Sequence, residues 1–182
     1  MNYSVILPTF NEVTNIVPLM DKIRRVLGRC EVIVVDDNSP DGTSPVVEKY
    51  AKKHKGIHLE TRYQNPGLTN SIARGIELAR GDVVVWMDCD FSMPPSLIPT
   101  LLAKIQQGCD IAVGSRFVRG GATRERKLFS TALNRLLRLL FIPTFHDYTS
   151  GFIAVKRSVL DTIPLRGDYG EYFIDFIVRA HR

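Results

Sequence analysis

Short apolar runs alternate along this chain with stretches whose apolar positions recur at helical spacing. Residues 3–8 read as a strand. Residues 12–27 follow with Val13, Ile16, Val17, Met20, Ile23 and Leu27 on one helical face, Arg24 and Arg25 in the last turn, and Gly28 as a stop. A second apolar strand, 31–35, ends at Asp36 and Asp37. Asp41-Gly42-Thr43-Ser44-Pro45 caps a helix that runs to about residue 53. Residues 57–61 predict a short strand, and 70–80 a helix that ends at Gly81. Further on, 97–107 and 127–141 predict helices, 110–114 and 149–155 strands, and 169–179 a last helix. Strands that are apolar throughout and alternate with helices argue a mostly parallel sheet with helices on both faces, a Rossmann-like α/β fold.

Ligands of such sheets sit at the carboxyl ends of the strands. The polar clusters 9–12, 36–40, 88–92 and 115–116 fall there. The stretch 82–95, DVVVWMDCDFSMPP, is the most pointed of them. A strand buried on both faces runs into Asp88 and Asp90. Alternation along a strand places these two on one side and Cys89 on the other. Two carboxylates so close repel unless a cation sits between them, and oxygen ligands suit Mg²⁺ or Mn²⁺. Asp36 and Asp37 close the second strand, where a carboxylate can accept from a base or a ribose hydroxyl. Glu12 reads as a first-turn acid favoured by the helix dipole. Phe10 is placed to stack on a base or to pack.

Length and composition describe one domain of 182 residues able to build a full core. Cys30, Cys89 and Cys109 form neither a disulfide framework nor a zinc pattern, and a reducing compartment is expected. Residues 3–7 read as a strand, so no signal peptide is expected before them, and no apolar run in the sequence is long enough to span a bilayer. The net charge of +5 is uneven: from Arg116 to Arg138 seven basic residues face one acid, Glu125. An anionic partner is expected there. In the helix 127–141, Phe129, Leu133, Leu136, Leu137 and Leu140 share a face opposite a basic one, a pattern that packs on a sheet or lies on a membrane surface. Gly120 and Gly121 suggest a mobile loop beside it. The basic stretch lacks the interleaved aromatics of nucleic-acid modules, so no nucleic acid is expected. No P-loop, dinucleotide fingerprint or nucleophile elbow is present.

Six segments carry a resemblance: PTFNE at 8–12, VVDDNSPDGT at 34–43, GLTNSIARGIELARGD at 67–82, MDCDFSMPP at 87–95, GSRFVRGG at 114–121 and DYTSGFIAVKR at 147–157. The chain resembles family-2 glycosyltransferases of the GT-A fold, most of all the dolichyl-phosphate mannose synthases. The resemblance implies a metal-dependent, inverting transfer of mannose from GDP-mannose to a dolichyl or polyprenyl phosphate. The alternatives are transfer of glucose or another hexose from a UDP-sugar to a lipid phosphate or soluble acceptor, and a nucleotide-sugar-binding module without turnover. It implies Pro8, Phe10, Glu12, Val35, Asp37, Asp88, Cys89, Asp90, Ser92 and Arg116 around the nucleotide sugar. Asp88 and Asp90 would hold Mg²⁺ or Mn²⁺, Asp90 and Arg116 would act in catalysis, and Arg116, Arg126 and Ser130 would hold the acceptor phosphate. Residues 1–115 would form the donor half and 116–182 the acceptor half of one domain. The acceptor half is expected to be incomplete, because the family continues with another strand and a basic segment. The enzyme would sit peripherally on the cytoplasmic face of a membrane. Phe10, Pro66, Ser92 and Thr131 depart from the residues usual at their positions. Asp175 occupies the helix where many family members place a catalytic acid; an exposed structural carboxylate is expected here, because a phosphate acceptor is already ionised.

Overall fold

The computed structural model describes residues 1–115, 127–168 and 170–181, with the side chains of 127–130 excepted. Its elements are β1 (Tyr3–Thr9), α1 (Ile16–Leu27), β2 (Glu31–Asp36), α2 (Thr43–Ala51), β3 (Ile57–Thr61), α3 (Leu68–Leu78) and β4 (Val83–Trp86). After a 3₁₀ turn at Pro95–Leu97 come α4 (Ile98–Gln106), β5 (Ile111–Val113), α5 (Lys127–Leu140), β6 (Ile153–Lys156), α6 (Arg157–Thr162) and α7 (Glu171–His181). The sheet order is β3-β2-β1-β4-β6-β5. The first four strands in that row are parallel, with Ile6 opposite both Ile33 and Trp86.

Alternation along the strands splits the core into two apolar layers. Val5, Leu7, Val32, Val34, Val83 and Val85 meet α1, α2 and α4 on one face. Ile6, Ile33, Val35, Val84 and Trp86 meet α3, α5, α6 and α7 on the other. Each fully buried aliphatic side chain contributes about 1.5–3 kcal/mol, so both helix layers are held by burial rather than by caps. Gly75 lets α3 lie on β1, for a Cβ there would come within 2.4 Å of Ile6 Cγ2.

The outline matches the sequence expectation, and 57–61 forms a strand with the same bounds. Three expectations are corrected. First, β6 begins at Ile153 rather than at 149, and it runs antiparallel between β4 and β5. Asp147 takes the Thr149 N–H and hydroxyl, and Ser150 takes the Phe152 N–H, which keeps 147–152 a loop. A strand buried on both faces has the same apolar pattern in either direction, so direction was not legible. Second, α1 starts at Ile16, with no acid in its first turn. Asn11 is left-handed (φ 61°), and the N–H groups of Glu12 and Val13 are taken by Thr43 Oγ1 and Asp41, so Glu12 lies upstream of the helix. Third, α5 buries Leu137 and Asn134 with Leu133 beside them, while Leu136, Leu139 and Leu140 are exposed. The short helix α6 was not foreseen; it has no capping side chain and only Leu160 is buried.

Candidate active site

Each of the four parallel strands is followed by a residue with positive φ: Asn11 after β1, Asn38 after β2, Asn65 after β3 and Phe91 after β4. Asparagine tolerates this conformation, whereas a bulky residue such as Phe91 is strained in it. The Lys22 ammonium lies 4.4 Å above the Phe91 ring and helps hold it. These sharp turns gather the polar residues of four strands at one end of the sheet.

The β2 end is a saturated hydrogen-bond knot. Asp36 is fully buried and accepts from Thr9 Oγ1 (2.8 Å), Ser39 Oγ (2.6 Å), Ser39 N–H (2.9 Å) and Ser44 Oγ (2.7 Å). Those are all four acceptor positions of a carboxylate. Asp37 accepts from Arg62 Nη1 (2.8 Å) and Ser71 Oγ (2.7 Å) on Oδ1, and from the Gly67 N–H (2.7 Å) on Oδ2. Among the described residues, one position on Oδ2 is left. The Arg62–Asp37 pair is mostly buried, with side chains 11% and 9% exposed. Arg62 also donates to the carbonyls of Gln64 and Asn65, so it ties β3, its following turn and α3 to Asp37. Asp41 accepts from Thr43 and Val13 one position before Gly42, the residue that caps α2. The Thr43 hydroxyl holds its carboxyl below the usual range.

The β4 end is the opposite. The strand closes at Trp86, and Asp88 and Asp90 stand in the turn beyond it. Burial, then the charges of Asp90 and Glu12, push the Asp88 carboxyl up to about 6. Among the described residues no donor bonds Asp88, whereas Asp90 accepts only from the Ser92 N–H, at 2.9 Å. Burial, then the charges of Glu12, Asp88 and Asp90, push the Cys89 thiol well up, and its Sγ–H donates to the Pro8 carbonyl at 3.5 Å. Cys89 therefore faces away from the pair and stays a neutral thiol. Glu12 accepts from Asn15 Nδ2 at 2.8 Å. Gly151 lies beside Asp88, where a Cβ would be 3.5 Å from both carboxylate oxygens. Tyr172, whose hydroxyl accepts from Trp86 Nε1 (3.1 Å), underlies the site; burial and Asp88 push its phenol up.

Three carboxylates that share two donors among the described residues, with none on Asp88, make a cation's environment. Among the described residues no three acidic, imidazole or thiol groups converge to chelate an ion alone. Two carboxylates that leave further positions to water or phosphate oxygens fit Mg²⁺ or Mn²⁺.

The structure thus brings Glu12, Asp88, Cys89, Asp90 and Ser92 together. Phe10 is 59% exposed at the β1 end. Val35 is buried beneath the sheet, so only its backbone reaches the strand end. Arg116, Arg126, Gly120 and Gly121 lie outside the described residues, as does the side chain of Ser130. Asp175 is held by Arg179 (2.6 Å) on α7. Sequence reasoning passed over Arg62, Ser71, Gly151 and Tyr172. Arg62 directly follows β3, at the same strand ends as the other polar clusters, and that position was the available signal.

A mostly parallel α/β sheet with a close pair of carboxylates beyond one of its central strands is the framework of GT-A glycosyltransferases. The chain matches glycosyl transferase family 2 over residues 4–163 and belongs to that family. It is 37% identical to the dolichol-phosphate mannosyltransferase of Pyrococcus furiosus, over 91% of this chain and 49% of that protein. It is 35% identical to the polyprenol monophosphomannose synthase of Mycolicibacterium smegmatis, over 88% of this chain and 64% of that protein. The chain therefore spans about half to two thirds of the length of these relatives. Glucosyl-3-phosphoglycerate synthase from Mycobacterium tuberculosis, solved with Mn²⁺, UDP and phosphoglyceric acid, superposes with a TM-score of 0.74 at 26% identity, covering 97% of this chain and 62% of that one. Its complex with Mn²⁺, UDP-glucose and phosphoglyceric acid gives 0.75 at 26% identity, over 97% and 64%.

Proposed function

We propose that this chain serves a metal-dependent, inverting transfer of mannose from GDP-mannose to a dolichyl or polyprenyl phosphate. The observation that carries the reading is the half-buried Asp88 beyond β4, beside Asp90 and Glu12 and bonded by no donor among the described residues. Two relatives named for mannosyl transfer to lipid phosphates support the substrates. Asp88 and Asp90 would hold Mg²⁺ or Mn²⁺, which offsets negative charge on the leaving diphosphate. The remaining acceptor position of Asp37 suits a base N–H or ribose hydroxyl. Exposed Phe10 offers a stacking face, and Pro8, Glu12, Val35, Cys89 and Ser92 complete the donor half, 1–115. Arg116 adds positive charge at the diphosphate. In the acceptor half, 116–182, Arg116, Arg126 and Ser130 would bind the lipid phosphate. That phosphate is largely dianionic at neutral pH, since its second pKa is about 6, so the site needs cations more than a base.

No described helix is long and apolar enough to cross a membrane. Exposed Leu136, Leu139, Leu140 and Phe141 beside Arg135 and Arg138 suit a peripheral position on the cytoplasmic membrane face, where apolar side chains and cations act together. The test is donor-stabilised melting with Mn²⁺ and with chelator. GDP-mannose should raise the melting temperature only with Mn²⁺. An equal rise in chelator overturns the metal reading. A rise with UDP-glucose alone favours the second reading, glucosyl transfer, to which the UDP-glucose complex of the structural neighbour points.

A further inference from the structure

The end of the sheet opposite the carboxylates carries a second concave feature. A groove of about 660 Å³ runs between Tyr3, Arg24, Leu27, the 29–31 turn, 53–58 and Arg80. Five cations line it: Arg24, Arg29, Lys53, Lys55 and Arg80. The one carboxylate in its wall, Glu31, is already engaged by Ser4 Oγ (2.5 Å), the Arg80 N–H (2.8 Å) and His58 at 3.9 Å. Arg24 is braced on the Lys55 carbonyl at 3.3 Å. Among the described residues, no carboxylate lies within ion-pair distance of Arg24, Arg29, Lys53, Lys55 or Arg80. Gly56 shapes the wall: it is left-handed (φ 87°), and a Cβ would come 2.9 Å from the Cys30 carbonyl.

Cations at this end have an ordinary reason to exist. The helices run antiparallel to the strands, so α1, α2 and α3 all point their C-termini here, and basic side chains offset helix dipoles. Each dipole end is worth about half a charge, so three of them and Glu31 leave roughly two to three positive charges over. A like-charged surplus that lines a cleft focuses the field there and raises the local concentration of anions.

We propose that this groove binds a soluble anion carrying several phosphate groups, at a site separate from the donor site. Six residue steps of β1 separate Tyr3 from Thr9, a distance of roughly 20 Å, so one small ligand does not reach both ends. A lipid surface is disfavoured because Met1 is the only large apolar side chain well exposed among the groove residues, whereas membranes are gripped by apolar side chains and cations together.

The test is calorimetry with inorganic tripolyphosphate in chelator, where metal-dependent binding at Asp88 and Asp90 is silent. The parent should bind it, and adding salt should weaken the binding. Arg29→Gln/Lys53→Gln/Lys55→Gln, all at exposed positions, should bind at least about tenfold more weakly, the loss expected for charge-assisted contacts. Arg135→Gln/Arg138→Gln on α5, which removes charge elsewhere, should leave the affinity unchanged. Equal affinity of the triple variant and the parent overturns the site. So does an equal loss in the α5 variant, which would mean net charge alone. If tripolyphosphate does not bind, but vesicles rich in phosphatidylserine bind the parent and not the triple variant, the ligand is a membrane surface and the soluble anion is overturned.

Discussion

Two strands end in a pair of aspartates, and the pairs meet opposite surroundings. Beyond β2, Asp36 and Asp37 collect seven hydrogen bonds from Thr9, Ser39, Ser44, Arg62, Ser71 and Gly67. Beyond β4, Asp88 is pushed up to about 6 by burial, Asp90 and Glu12. The first pair is a construction joint that fixes how β1, β2, β3, α2 and α3 meet. In the second, the fold disfavours the charged form of Asp88, a cost that a bound cation would offset. Acidic residues at a strand end are therefore no index of function; what surrounds them is.

The largest effect expected from breaking this contrast is on turnover. Asp90→Asn should lower Mn²⁺-supported turnover by about 10²–10³-fold, the range for losing one stabiliser of developing charge. Its melting temperature without metal should stay near that of the parent. A variant that keeps its turnover, or keeps its response to chelator, would remove Asp90 from the metal site. Next is the β2 joint. Arg62→Ala leaves Asp37 buried without its countercharge, though still bonded by Ser71 and Gly67, and should cost about 3–5 kcal/mol of stability, or roughly 10 °C in melting temperature. Denaturant titration measures it; a loss below about 1 kcal/mol would place that ion pair among solvated surface pairs.

A smaller effect sharpens the β4 side. The Asp88 carboxyl has a higher pKa folded than unfolded, so the fold favours its protonated form. Its contribution is full below about pH 4 and is lost as pH rises through about 6. In chelator, Asp88→Asn should therefore equal the parent in stability at pH 4 and exceed it at pH 8 by about 1–3 kcal/mol. A parent whose Mn²⁺ affinity does not fall below pH 6 would contradict the assignment. The smallest effect belongs to Asp175. Its i,i+4 pair with Arg179 is worth about 0.3–0.5 kcal/mol, and Asp175→Asn should change turnover by less than about threefold. A loss of several orders of magnitude would point to a hydroxyl acceptor that needs a base.

Much of this was legible before any coordinates. Apolar runs at 3–8, 31–35 and 57–61 and the helical faces between them predicted the parallel half of the sheet, because burial on both sides leaves a composition that few other elements share. The motif set from PTFNE to DYTSGF pointed to the family that the comparison at residues 4–163 shows. Asp88 and Asp90, singled out by alternation along a strand, stand in the turn beyond Trp86 and are close enough for the charge of Asp90 to act on Asp88. Less legible was α5: the spacing of its leucines describes a stripe, yet Leu137 faces the core and Leu140 does not. A stripe specifies a face but not which neighbour covers it.

The sequence alone determined the element order except for α6, the two-layered core and the acidic character of the strand ends, since each follows from local periodicity and residue chemistry. The tertiary structure decided three things that no local pattern carries. It reversed β6, because strand direction depends on the path of the chain and not on its apolar content. It placed Glu12 ahead of α1 and within electrostatic reach of Asp88, because Thr43 and Asp41, some thirty residues away, pin the Glu12 and Val13 N–H groups to the turn before α2. And it gave one aspartate pair seven donors while leaving the other among carboxylates, because hydrogen bonds between residues distant in sequence exist only once the chain has folded.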